Sequence, residues 1–188
     1  MDDAHQSERE DVVFMEVGCG TGSTLIPIMK RYPKFRFIGF DFSHVAVEVM
    51  QNNPEFDASR CVSFCCDVSN EAIPNELAPP CSVDIASMIF VLSAISPHKM
   101  RDVLCKVYEK LKPGGVLLIR DYGVCDLAHI RFLAKQGRKL EDNFYVRGDG
   151  TRAFFFTTEH ITSLLVSAGF IVEKAIYDSR ELKNRKRK

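Results

Sequence analysis

Glu16-Val17-Gly18-Cys19-Gly20-Thr21-Gly22 stands between a short apolar stretch, Val12 to Val17, and a helix-like stretch from about Gly22 to Arg31. Glycines at a strand-to-helix turn let the backbone come close to a ligand, so the loop is expected to hold a nucleotide-like cofactor. Gly18, Gly20 and Gly22, with Glu16 ahead of them, are the candidate contacts. A dinucleotide fingerprint, G-x-G-x-x-G counted from Gly18, needs its third small residue where Ser23 stands; the extra glycine comes one place early, and NAD is the weaker candidate. A second apolar stretch, Phe35 to Phe40, ends on Asp41, nineteen residues past Gly22, where a carboxylate accepts hydrogen bonds from a ribose diol. A third, Cys61 to Cys66, ends on Asp67, placed to accept from an adenine amino group at the carboxyl edge of a sheet.

The alternation continues. Ser43 is the expected N-cap of a helix running to about Asn52, with Val45 and Val49 on its inner face and Pro54 past its end. Val83 to Phe90 is apolar almost throughout, as in a strand buried on both faces. Pro97 opens a helix in which Val103, Leu104, Val107 and Leu111 recur at helical spacing. Lys112-Pro113-Gly114-Gly115 stops it and turns the chain into Val116 to Ile119. Thr158 is the expected cap of a last helix, Gly169 its stop, and Phe170 to Tyr177 reads as strand. Strands alternating with helices predict one α/β domain over residues 12–179, with helices on both faces of a parallel sheet. Residues 1–11 and 180–188 read as flexible tails.

Residues 122–157 break the pattern and read as an insertion. Arg131, Lys135, Arg138, Lys139, Arg147 and Arg152, with the adjacent Arg120, interleave there with Tyr122, Phe132, Phe144 and Tyr145. Long insertions after a sheet strand are usually functional or mobile. Phe154, Phe155 and Phe156, just ahead of a helix cap, are expected in the core.

The chain has 188 residues, 46% hydrophobic and 27% charged, enough apolar material for one core. No stretch approaches the roughly 20 apolar residues of a membrane span. Met1 to Asp11 shows neither an apolar signal core nor an Arg-rich amphipathic helix, so cytosol or nucleus is the expected compartment. The net charge of zero is unevenly spread, with five acids in Met1 to Asp11 and six bases in Arg180 to Lys188. Seven cysteines, an odd number mostly inside apolar runs, read as reduced core thiols; Cys61, Cys65 and Cys66 lack the spacing of a zinc site, and no metal is expected. The five histidines are dispersed, match no catalytic arrangement and are expected at the surface.

Glu16 before the glycines, Asp41, Asp67 and the Lys112-Pro113-Gly114-Gly115 turn together resemble the Rossmann-like S-adenosylmethionine methyltransferases. Three further strings narrow the resemblance: Phe90-Val91-Leu92-Ser93-Ala94-Ile95, Arg120-Asp121-Tyr122-Gly123, and Asn143 to Arg152 followed by Phe155-Phe156-Thr157. With Asp41-Phe42-Ser43 they are similar, in order and spacing over roughly Val12 to Lys186, to the methyltransferase-like tRNA N3-cytidine methyltransferases.

That resemblance implies methyl transfer from S-adenosylmethionine to a cytidine in the anticodon loop of tRNA. Gly18, Asp41, Asp67 with the adjoining Val68, and Ile89 match cofactor positions. Cytosine N3 carries its own lone pair, so once unstacked it needs orientation and stabilisation of a cationic product more than a strong base. Asp121 and, second, Asp149 are the candidate catalytic carboxylates; ion pairs with Arg120 or Arg152 are the structural alternative. Arg120, Tyr122, Arg131, Tyr145 and Arg147 are the candidate RNA contacts, arginines for phosphates and tyrosines for stacking an unpaired base. tRNA is the implied partner, a helper protein such as an aminoacyl-tRNA synthetase fits the same picture, and neither membrane nor metal is implied. Family members carry an N-terminal extension and a final antiparallel strand that this sequence does not show, so weaker cofactor and tRNA binding than in a longer relative is expected. Two other readings stay open: a methyltransferase for a small molecule or protein, and a non-catalytic interaction module.

Overall fold

The apolar runs form parallel strands because the chain between them, a helix in every case but the long loop from the third to the fourth, returns to the same edge. The computed structural model describes residues 11–133 and 137–179; the expected tails, apart from Asp11, and Lys135 lie outside them. The main sheet contains β1 (Val13–Val17), β2 (Arg36–Asp41), β3 (Cys61–Cys65), β4 (Val83–Ile89) and β5 (Leu111–Arg120). Their order is β3-β2-β1-β4-β5, every pairing is parallel, and β1 is central. Register puts Val17 beside Phe40 and Met88, and Ile89 beside Arg120. The carboxyl ends of the strands therefore share one edge. Between Val83 and Ile85 the β4–β5 register shifts, which absorbs the Pro113-Gly114-Gly115 turn.

The pleat sends alternate residues of β1 to opposite faces. Phe14 joins Leu25, Ile26, Met29, Phe37 and Met50 under α1 (Leu25–Arg31) and α2 (His44–Gln51). Met15 and Val17 join Met88, Leu92, Met100, Val103 and Leu104 under α3 (Pro97–Lys110). Ser43 caps α2 as expected, its side chain accepting from Ala46 N–H. Val45 and Val49, however, face outward at 67% and 52% exposure, and Val47 and Met50 meet the sheet instead. The cap fixes where the helix begins, and with it which stripe turns inward. Leu111 leaves α3 and starts β5.

The described residues of the insertion form a small module of their own. After α4 (Leu127–Leu133), β6 (Lys139–Glu141), β7 (Phe144–Val146) and β8 (Arg152–Phe154) form a small antiparallel sheet. Tyr145, Ala153 and Phe155 make its core with Tyr122, Val124, Ala128 and Phe132. Phe156 N–H donates to Tyr122 C=O at 2.9 Å and Val124 N–H to Phe156 C=O at 3.0 Å, joining this module to the end of β5. Phe154, Phe155 and Phe156 are buried as expected.

The last helix, α5 (Thr158–Ser167), is capped by Thr157 rather than Thr158, the Thr157 hydroxyl accepting from His160 N–H. Gly169 ends it with φ +100°. Phe170 to Tyr177 is not a strand. Phe170 packs edge-on against Tyr108, Tyr177 lies against Gly123 and Asp178 pairs with Arg120, so this segment is held by side chains rather than by a ladder.

All seven thiols are free. Burial pushes Cys19 and Cys61 up to about 12 and Cys66 up to about 11, but Cys65, Cys81 and Cys125 are exposed rather than in the core. Among the described residues no cluster of His, Cys, Asp and Glu is placed to hold a metal, and no helix is long and apolar enough to cross a membrane.

Candidate active site

Five strand ends supply the residues at the carboxyl edge. After β1 the chain passes through Gly18, Gly20 and Gly22 at φ +68°, +52° and +82°, a backbone path glycine takes without a β-carbon clash. At Gly18 a β-carbon would come within 2.4 Å of Val91 Cγ2, and at Gly22 within 2.7 Å of Met50 Cγ. At Gly20 it would meet nothing within 4 Å. Gly18 and Gly22 are thus packing glycines, and Gly20 faces open space.

Asp41, at the end of β2, clamps that loop. Its Oδ2 accepts from Gly20 N–H and its Oδ1 from Ser43 N–H, both at 2.9 Å. One carboxylate therefore fixes the glycine loop and the entry to α2, keeping its remaining lone pairs for a ligand. Asp67, beyond β3, accepts from Ser69 N–H, Ser69 Oγ and Asn70 Nδ2. The Ser69 hydroxyl foremost, with Asn70 and the charge of Lys99, holds its carboxyl below the usual range. Val68 instead turns its side chain into the core at 6% exposure, and its carbonyl accepts from Lys106.

Glu16 lies beneath the loop, 2% exposed. Burial pushes its carboxyl up to about 7, against hydrogen bonds from Thr24 and the Leu25 backbone. Glu16 Oε2 and the Oγ of its register neighbour Ser87 are buried side-chain atoms without a hydrogen-bond partner. The site thus holds a polar pair that no sequence pattern announces.

At the ends of β4 and β5, Ile89 is half-buried and Phe90, next along, stands 46% exposed at φ +57°. Asp121 Oδ2 accepts from Ser93 N–H and its Oδ1 from Tyr122 N–H, both at 2.9 Å. Asp121 thereby ties β5 to the 3₁₀ turn Leu92–Ala94, and burial raises its pKa against these bonds. It does not pair with Arg120, which reaches Asp178 at 3.8 Å. Tyr122 lies between Phe90 (4.9 Å) and Phe155 (5.6 Å), with the Arg147 guanidinium 5.2 Å from its ring centroid and Arg147 Nη2 donating to its hydroxyl at 2.6 Å.

Other expected residues lie elsewhere. Tyr145 is 3% exposed and packs in the core of the small sheet, so its ring is closed to a stacking base. His129, expected at the surface, is buried beside it; His129 Nδ1 accepts from Cys125 N–H, leaving Nε2–H to face the Tyr145 hydroxyl at 3.2 Å. Asp149 is fully exposed and accepts from Thr151 N–H and Oγ1, which lower its pKa; it shapes a turn rather than lining the edge. Arg131 is exposed on α4. Phe90, to which the sequence reading gives no role, joins the site because of its backbone angle, which no residue pattern reveals.

Residues 15–117, which carry the glycine loop and the first four strands, match a family model described as a methyltransferase domain. The chain belongs to the methyltransferase-domain family. Relatives of this methyltransferase domain include O-methyltransferase 3 of Dictyostelium discoideum, 45% identical over 96% of the chain and 41% of the relative. A tRNA N(3)-cytidine methyltransferase of Danio rerio is 46% identical over 92% of the chain and 48% of the relative. The domain thus spans about half the length of these curated relatives. Its fold is that of the S-adenosylmethionine-dependent methyltransferase from Mesorhizobium loti, with TM-score 0.62 and 14% identity over 87% of this chain and 76% of that one.

Proposed function

We propose that this chain is the catalytic core of an S-adenosylmethionine-dependent tRNA methyltransferase that forms N3-methylcytidine. The 46% identity to the Danio rerio enzyme over 92% of the chain carries the reading. The residues present suit the cofactor. Gly20 faces open space where a ligand can meet bare backbone, Asp41 and Asp67 offer lone pairs to ribose and adenine, and Glu16 Oε2 is a buried acceptor left over. Gly18, Ile89 and the backbone beside Val68 complete that cradle.

S-adenosylmethionine, when bound, supplies a methyl group on a sulfonium that departs as a neutral thioether. The chain's own work is alignment, because in-line attack by a lone pair gains most from proximity. Cytosine N3 forms the new N–C bond without surrendering a proton, and the product becomes cationic. Asp121, anchored by two backbone N–H groups, offers its carboxylate to that developing charge. Arg120 and Arg131 face phosphate, Tyr122 faces the base, and Arg147 is held against Tyr122.

The test is incubation of the protein with S-adenosylmethionine and tRNA, followed by nucleoside mass spectrometry. N3-methylcytidine is the expected product; none would sink the proposal. The Dictyostelium relative's name favours one other reading, O-methylation, under which the same digest would show no N3-methylcytidine. Gly20→Ala tests the cradle: calorimetry should show cofactor affinity falling on the order of tenfold, while the left-handed backbone at Gly20 costs the variant about 1–2 kcal/mol of stability. Gly18→Ala, against Val91, should lower stability as well, by about 1–3 kcal/mol.

A further inference from the structure

Phe90 holds a backbone conformation that bulky residues avoid. Its N–H donates to Arg120 C=O at 2.8 Å, extending the β4–β5 ladder by one bond beyond which the chain turns sharply. Glycine would make that turn without strain, and asparagine with little. The phenyl ring is 46% exposed and belongs to none of the buried core clusters. Strain retained at a ligand edge points to what the strained residue displays.

What it displays is half of an aromatic wall. Phe90 and Tyr122 lie 4.9 Å apart at 37°, on neighbouring strand ends beside Ile89. Tyr122 is fixed by Phe155 at 5.6 Å and by Arg147, which both binds its hydroxyl and covers its ring. Asp121 pins the following turn through Ser93. The ring pair is therefore set before any substrate arrives.

We propose that Phe90, with Tyr122, forms the stacking wall for the unpaired target base, and that Arg147 is a positioning residue that holds the Tyr122 ring at its angle. This rests on the tRNA reading above. A base taken out of its stack loses neighbouring π-faces, and a rigid aromatic pair at the cofactor edge restores that contact while aligning the accepting nitrogen. An exposed, prearranged pair also explains why Tyr122 is only half-buried while Tyr145, in the same module, is sealed.

The discriminating pair is Phe90→Gly, which keeps the turn and removes the ring, and Phe90→Tyr, which keeps the ring. The glycine variant should retain its melting temperature and bind S-adenosylmethionine within about twofold of the parent, yet lose on the order of 10- to 100-fold in kcat/KM for tRNA. The tyrosine variant should stay within about threefold of the parent. Ultraviolet cross-linking of tRNA carrying 5-iodocytidine at the acceptor position should map to Phe90 or Tyr122. Unchanged kcat/KM in Phe90→Gly, or a cross-link confined to other residues while N3-methylcytidine still forms, overturns the wall and leaves the proposed function standing. Absence of N3-methylcytidine with the parent protein overturns both.

Discussion

Glu16 shows how far a single side chain can be read before its surroundings are known. Its place ahead of three glycines marks it as part of the site, but not that burial leaves its Oε2 unpartnered and its pKa near 7. The folded chain keeps this proton up to about pH 7, whereas the unfolded chain releases it near 4.5, the ordinary value for a glutamate. Unfolding therefore releases a proton between those values, and this group's effect is to lower stability as pH rises from 4.5 to 7 and then level off. The full effect is about 3 kcal/mol. Urea unfolding of the parent and Glu16→Gln at pH 5 and pH 8 should show the variant gaining most of that amount at the higher pH; an equal gap at both would show that Glu16 ionises freely. Asp41 and Asp67 were legible as strand-end acids, because turn position alone selects them. That Asp41 already holds two backbone N–H groups and Asp67 one with two side-chain donors was not, since those bonds depend on loop paths.

Among the elements, α2 separates what local chemistry specifies from what it leaves open. Ser43 was legible as a cap because its hydroxyl acts three residues away. The inward stripe was misjudged: Val45 and Val49 look like core residues, yet Val47 and Met50 fit the sheet. Ser43→Ala should cost about 1 kcal/mol, read as a shift in the denaturant midpoint. Cofactor affinity should fall with it, because Ser43 N–H also meets Asp41, and backbone loosening at the cap loosens the Gly20 clamp. A stability loss with untouched affinity would separate the two roles. Phe170 to Tyr177 carries a strand-like pattern, but pattern supplies only a face, and a strand also needs a hydrogen-bonding neighbour.

Over the whole molecule, the alternation of strand and helix made the sheet and its active edge legible, because parallel pairing leaves few other arrangements. The three-stranded module was not, since strands of three residues carry too little periodicity to read. Its basic residues give it a measurable electrostatic role. Arg131→Glu, on the exposed side of α4, should keep the melting temperature and cofactor affinity, weaken tRNA binding and flatten its dependence on salt concentration. An unchanged salt slope would remove Arg131 from the interface. The strand order β3-β2-β1-β4-β5 also governs how the protein is born. β1 leaves the ribosome first and gains β2 on one side, but its other neighbour, β4, spans Val83–Ile89. At roughly 5–20 residues per second the middle strand waits several seconds with one flank bare, so the nascent chain depends during that interval on whatever shields newborn apolar strands in the cell.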